Sequence, residues 1–76
     1  MALRFGRCRV LEHLKRVNMS QAEYARRIGF SESFVSKVIS GEKYLSMLKA
    51  KMSADLFNCH IDDLYTWEYF SDEDMR

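Results

Sequence analysis

Residues 20–41 read SQAEYARRIGFSESFVSKVISG, and the fold turns on this stretch. Ser20 has the side chain of a helix N-cap, with Glu23 three residues on to complete a capping box and Met19 placed to staple against Tyr24. Gly29 supplies the left-handed residue that stops such a helix. Ser31 then repeats the start signal, with Phe30 able to staple against Val35, and Gly41 repeats the stop. The spacing predicts two short helices joined by a turn of about three residues that pivots on Gly29.

Working outward, Val10, Leu14 and Val17 fall at i, i+4 and i+7, which predicts a first helix from about Arg4 to Val17, closed by Asn18. Ser46 opens a fourth helix and Asn58 closes it. Ile61, Leu64 and Tyr65 at i, i+3 and i+4 predict a short fifth, with Asp62 and Asp63 near its positive end. No sustained alternation, internal repeat or low-complexity segment competes. The expectation is therefore an all-α, compact five-helix domain over 1–70, followed by an acidic, frayed tail over 71–76.

The chain has 76 residues, 47% of them hydrophobic and 30% charged, with no proline. A chain near this length buries only about 60% of its unfolded surface, so one economical core is all it can build. Two cysteines, Cys8 and Cys59, do not make a disulfide framework. The opening MALRFGRCRV is broken by arginines, unlike a secretory signal, and nothing approaches the roughly 20 apolar residues of a membrane span. A cytoplasmic protein without membrane attachment is expected. Cys8, His13, Cys59 and His60 lack the C-x-x-C or H-x-x-x-H spacing of a zinc site, so neither a metal nor another cofactor is expected. No phosphate-cradling glycine loop or nucleophile motif points to an enzyme.

The net charge of +1 conceals a polarised distribution. Residues 1–51 carry eleven Lys and Arg against four acids, a net +7, whereas residues 52–76 carry one base against seven acids, a net −6. The first part attracts a polyanion and the second repels it.

A helix, a three-residue turn with glycine and a second helix form a helix-turn-helix, which lays its second helix in the DNA major groove. Tyr24, Ala25, Ile28, Phe30, Val35 and Val38 supply the inner faces. The outward positions of the second helix, Glu32, Ser33, Ser36 and Lys37, are short or polar and suit close approach to base edges.

At these residues the chain closely resembles the lambda-repressor-like family of phage repressors, Cro proteins and related bacterial regulators. Gln21, Ala25, Gly29, Val35, Ser36, Val38 and Gly41 carry the resemblance, and HIDDLY at 60–65 resembles the closing helix of that family with Leu64 in its buried position. The similarity runs without gaps from about Val10 to Tyr65. It implies a sequence-specific regulator of double-stranded DNA, a repressor of phage or bacterial type.

Carried over position by position, it implies that Glu32, Ser33 and Lys37 read bases with Ser36 beside them. Gln21 would hydrogen-bond a phosphate, Phe34 would pack near a sugar or a thymine methyl, and Lys43 would follow the backbone. Arg26 and Arg27 add the non-specific, salt-sensitive part of affinity. Three positions depart from the family: Leu45 stands where a proline precedes the fourth helix, which leaves the path of that loop open, and the other two form a pair. Leu14 and Ile39 stand where an internal arginine–glutamate pair is common, an exchange on both sides that leaves no lone buried charge.

The fourth helix carries two apolar stripes, Met47, Ala50, Ala54, Phe57 and Leu48, Met52, Leu56. One suffices for a core; the other needs a cover. A homodimer through the C-terminal region, using Leu48, Met52, Leu56 and Trp67, is one reading, and a monomer whose aromatic tail folds back is the other. A different class of function also stands beside DNA binding: a protein-interaction module, such as an antirepressor or the partner of a regulatory protein, built on the same helix pair.

Overall fold

The computed structural model describes residues 2–70 and corrects the all-α expectation at both ends. The order is β1 (Ala2–Cys8), α1 (Val10–Arg16), α2 (Gln21–Ile28), α3 (Glu32–Ser40), α4 (Met47–Phe57), a 3-10 turn (Ile61–Leu64) and β2 (Tyr65–Phe70). β1 and β2 pair antiparallel, with Leu3 opposite Tyr69, Arg4 opposite Glu68 and Phe5 opposite Trp67. In place of five helices there are four, a 3-10 turn and a two-stranded ribbon. The tail at 71–76 lies outside the described residues.

The physical reason lies in the periodicity of the two termini. The helical spacing of Val10 and Leu14 does not extend back past Val10, and Leu3 and Phe5 already alternate with Arg4. Tyr65, Trp67 and Tyr69 alternate in the same way with Thr66 and Glu68. Aromatic and β-branched residues at period two suit a pleated surface, and two such segments from opposite ends of the chain satisfy each other's backbone. Ile61–Leu64 is left with room for one tight turn, whose start is held by the Asp63 carboxylate accepting the His60 N–H at 3.1 Å.

The ribbon is kinked. Between the Phe5–Trp67 and Cys8–Tyr65 pairs, Gly6 and Arg7 face Thr66 alone, a bulge. The Arg7 N–H donates to Thr66 Oγ1 at 2.5 Å, and a Cβ on Gly6 would overlap that same oxygen. Only glycine fits there.

The starts and stops of α2, α3 and α4 match the sequence signals, whereas the first helix begins at Val10 rather than near Arg4. Ser20, Ser31 and Ser46 accept from the backbone N–H groups of Glu23, Phe34 and Lys49. Gly29, Gly41 and Asn58 close their helices in the left-handed conformation. The core draws on every helix: Val10 and Leu14 from α1, Tyr24, Ala25 and Ile28 from α2, Val35 and Val38 from α3, Ala50 and Phe57 from α4, then Leu64. Leu14 is in that core and Ile39 packs against it, so both sites of the exchanged ion pair are apolar contacts.

The polar groups drawn into this core are all satisfied among the described residues. Ser53 Oγ donates to the Lys49 carbonyl at 2.8 Å, which leaves it to accept from the Tyr24 hydroxyl at 2.6 Å. His13 Nε2 donates to the Asp63 carbonyl at 2.7 Å, so its Nδ1 is the acceptor for Arg16 at 3.2 Å. The same Arg16 guanidinium donates to the Phe57 carbonyl at the end of α4. α1, the 3-10 turn and α4 are thereby tied at one corner. Among the described residues no helix is long and apolar enough to cross a membrane.

Burial pushes the Tyr24 phenol from its ordinary 10.0 up to about 12. The folded state holds this proton more tightly than the unfolded chain, so its contribution is complete below about pH 10 and is lost as pH rises toward 12. Urea titrations at pH 8, 10 and 11.5 are expected to show a falling midpoint, and Tyr24→Phe to flatten that fall. Ser53→Ala, which orphans the Tyr24 hydroxyl, is expected to cost about 1–3 kcal/mol, more than Tyr24→Phe, which leaves Ser53 its bond to Lys49.

Candidate nucleic-acid interface

Gly29, Phe30 and Ser31 make the whole connection between α2 and α3. Gly29 takes φ +78°, and its N–H and that of Phe30 both return to the Ala25 carbonyl. Ser31 then caps α3 at once, its Oγ accepting the Phe34 N–H at 3.1 Å. The apolar sides of the two helices, with Tyr24, Ala25 and Ile28 facing Val35 and Val38, are buried, so the opposite side of α3 is turned to solvent.

Glu32, Ser33, Ser36 and Lys37 occupy that outer side and are exposed. None of the four side chains makes a hydrogen bond or ion pair among the described residues. Four adjacent polar side chains with no intramolecular partner are free to satisfy an external hydrogen-bonding surface. Gln21, in the first turn of α2, is exposed and equally uncommitted. Lys43, in the loop after α3, is exposed and without an ion-pair partner, although its backbone N–H returns to the Lys37 carbonyl at 3.2 Å.

Arg26 and Arg27 differ, because both lean on Glu23, at 2.5 and 3.9 Å. That carboxylate serves them rather than the reciprocal half of a capping box. Exposed pairs of this kind are worth about 0–1 kcal/mol, so either arginine can be drawn off by a phosphate at small cost. Phe34 is half-buried, and its ring lies 4.2 Å from Phe30. Tyr44, in the segment after α3, stacks on Phe5 of the ribbon at 4.7 Å.

The residues expected at a C-terminal seam lie on α4 and on the ribbon. Leu48 and Met52 are exposed on α4 and Leu56 packs against the core. Trp67 sits on the ribbon, 4.9 Å from Phe5, its indole N–H donating to the Asp62 carbonyl. Sequence reading missed the ribbon itself, and it missed Lys49, whose ammonium reaches the turn from α4 and donates to the Ile28 carbonyl at 2.5 Å. The only local signal for Lys49 was its place in the first turn after Ser46.

A cleft of about 510 Å³ where α1, the end of α4 and the 3-10 turn meet is lined by Arg9, His13, Arg16, Asn58, Cys59, His60 and Asp63. Burial pushes the Cys59 thiol up, away from the thiolate form. Among the described residues no group of three or more His, Cys, Asp or Glu is placed to hold a metal ion.

With capped α2, a glycine turn and an outward polar α3 in place, comparison with known proteins is decisive. A helix-turn-helix family model of the Cro/C1 type matches residues 10–64. The chain belongs to this helix-turn-helix family. Its members bind double-stranded DNA, and the chain is a DNA-binding transcriptional regulator of this type.

Among solved structures, the restriction-modification controller protein C.AhdI from Aeromonas hydrophila is similar, with a TM-score of 0.66 and 23% identity over 74% of this chain and 85% of that one. Likeness at that identity attests the fold. Curated proteins give no significant match. The helix-turn-helix match begins at α1 and ends at the 3-10 turn, so the ribbon lies outside it.

Because α3 is short and starts on a single serine, its first turn depends on that cap. Ser31→Ala is expected to cost about 1 kcal/mol of stability, read as a lowered urea midpoint at unchanged slope.

Proposed function

We propose that the chain is a repressor of phage or bacterial type that occupies operator DNA with α3 in the major groove. The observation that carries this is the row of exposed, uncommitted side chains on α3, flanked by Gln21, Arg26, Arg27 and Lys43. In the groove, Lys37 donates to guanine O6 and N7, Glu32 accepts from cytosine N4, and Ser33 and Ser36 pair with either edge. Glu32 acts chiefly by rejection, since without a compensating amino group a carboxylate is repelled by the duplex. Gln21 holds a phosphate at the start of α2, where the helix dipole favours an anion, and Phe34 offers its ring edge to a thymine methyl.

The operator-bound form in this reading is a homodimer, and the ribbon is its seam. Leu3, Phe5, Trp67 and Tyr69 share one face of the ribbon, and Met47 of α4 borders the same groove as Phe5 and Trp67. They are exposed by 51, 42, 39, 70 and 75%. For side chains of about 150–250 Å² each, that amounts to roughly 400–700 Å² per copy. Two copies facing each other therefore bury a total on the order of the 1,000 Å² that a specific interface needs. Two-fold pairing sets two recognition helices against half-sites about 34–36 Å apart.

Selection from a random DNA pool, followed by gel shifts at two salt concentrations, tests the reading. Lys37→Ala is expected to shift preference at one base pair by about 1–3 kcal/mol, whereas Arg26→Ala or Lys43→Ala weakens all duplexes and flattens the salt slope. No salt-sensitive retention on any duplex, with binding to a protein partner kept, would favour the protein-interaction reading instead. For the seam, Tyr69→Lys is expected to halve the molar mass in sedimentation without unfolding the chain; a wild type that is monomeric at high micromolar concentration sinks it.

A further inference from the structure

We propose that Lys49 is a positioning residue for base recognition: its ammonium clamps the turn between α2 and α3 and, through Phe30, sets the Phe34 ring on the recognition face. The inference rests on the reading of α3 as the recognition helix.

Lys49 is half-buried in the first turn of α4, a turn held by the Ser46 cap. Its Nζ donates to the carbonyl of Ile28, the last residue of α2, where a cation is favoured by the helix dipole. It also sits 4.9 Å from the centroid of the Phe30 ring. Phe30 in turn lies 4.2 Å from Phe34. A Cβ on Gly29 would meet the ammonium at 3.4 Å, which shows how closely the charge is seated against the turn.

No carboxylate partners Lys49 among the described residues, so the charge is spent on one backbone carbonyl and one ring. Its own carbonyl accepts from Ser53, the partner of Tyr24 on α2. Lys49 thus joins α4 to the end of α2 through its side chain, while its carbonyl orients the Ser53 hydroxyl that Tyr24 reaches from the middle of that helix. An apolar residue would fill the same half-buried space; what it would not do is fix the carbonyl and the ring pair together.

The test compares wild type, Lys49→Met and Lys49→Arg on the pool-selected operator and on an unrelated duplex, across a salt series, with melting temperatures measured alongside. Lys49→Met is expected to lower the operator-to-unrelated ratio about tenfold, with the loss concentrated at base pairs facing the first turn of α3. Affinity for the unrelated duplex and the salt slope stay at wild-type values, and Lys49→Arg restores the ratio. A uniform loss on both duplexes, with the salt slope reduced by roughly 0.9, would make Lys49 a phosphate contact and overturn the proposal.

A lowered melting temperature with an unchanged ratio, or no change in either, overturns it as well. If Lys49→Met does not fold, Lys49→Gln, an uncharged donor, takes its place with the same criteria. Wild type that prefers no duplex sinks the DNA-reading function itself and this role with it; selective wild type and an equally selective Lys49→Met sink this role alone.

Discussion

A left-handed glycine between two capped helices reverses the chain in three residues, and the rest of the molecule is arranged around that reversal. Gly29 lets the Ala25 carbonyl take two N–H groups at the end of α2, and Ser31 restarts the backbone as helix without a spare residue. So tight a turn leaves little freedom in the angle between α2 and α3. The apolar sides of both must then be covered from beyond, and α1 and α4 do so with Leu14, Val10, Ala50 and Phe57. What remains uncovered is the far side of α3. The exposed row from Glu32 to Lys37 follows from core economy before it follows from any ligand.

A core this small admits few polar groups, and each one it admits is used as a joint. Ser53 sits at the crossing of α2 and α4, where an alanine would pack as readily, yet its hydroxyl passes one hydrogen bond on to the Lys49 carbonyl and receives one from Tyr24. His13, held at both ring nitrogens, links α1 to the 3-10 turn, and Arg16 carries the link to the end of α4. Such directional bonds fix one arrangement among several that apolar packing alone would tolerate.

The middle of the fold was legible because its signals are local. A serine cap and its acceptor lie three residues apart, and a left-handed stop lies next to the helix it ends, so Ser20, Ser31, Ser46, Gly29, Gly41 and Asn58 all declare themselves. The ends were not legible in the same way. Ala2 pairs with Phe70 across the length of the chain, and a short run such as LRFGRC matches a strand or the start of a helix until its partner is known. The outer face of α3 could be named from pattern, since outward positions of an amphipathic helix follow from the inward ones. That its side chains are uncommitted could not be read, nor that Glu23 is shared by two arginines. Lys49 escaped altogether, because its contacts lie 19 and 21 residues away.

The stacking of Tyr44 on Phe5 has a thermodynamic corollary. Tyr44 belongs to the segment that follows α3 and carries Lys43, while Phe5 belongs to the ribbon, so the two regions share one aromatic joint. Anything that immobilises the ribbon also narrows the conformers open to the Lys43 segment, and anything that grips that segment steadies the ribbon in equal measure. In the proposed reading, occupancy of DNA at one end and association at the other are two handles on a single equilibrium, and a substitution at the joint loosens both without touching either ligand.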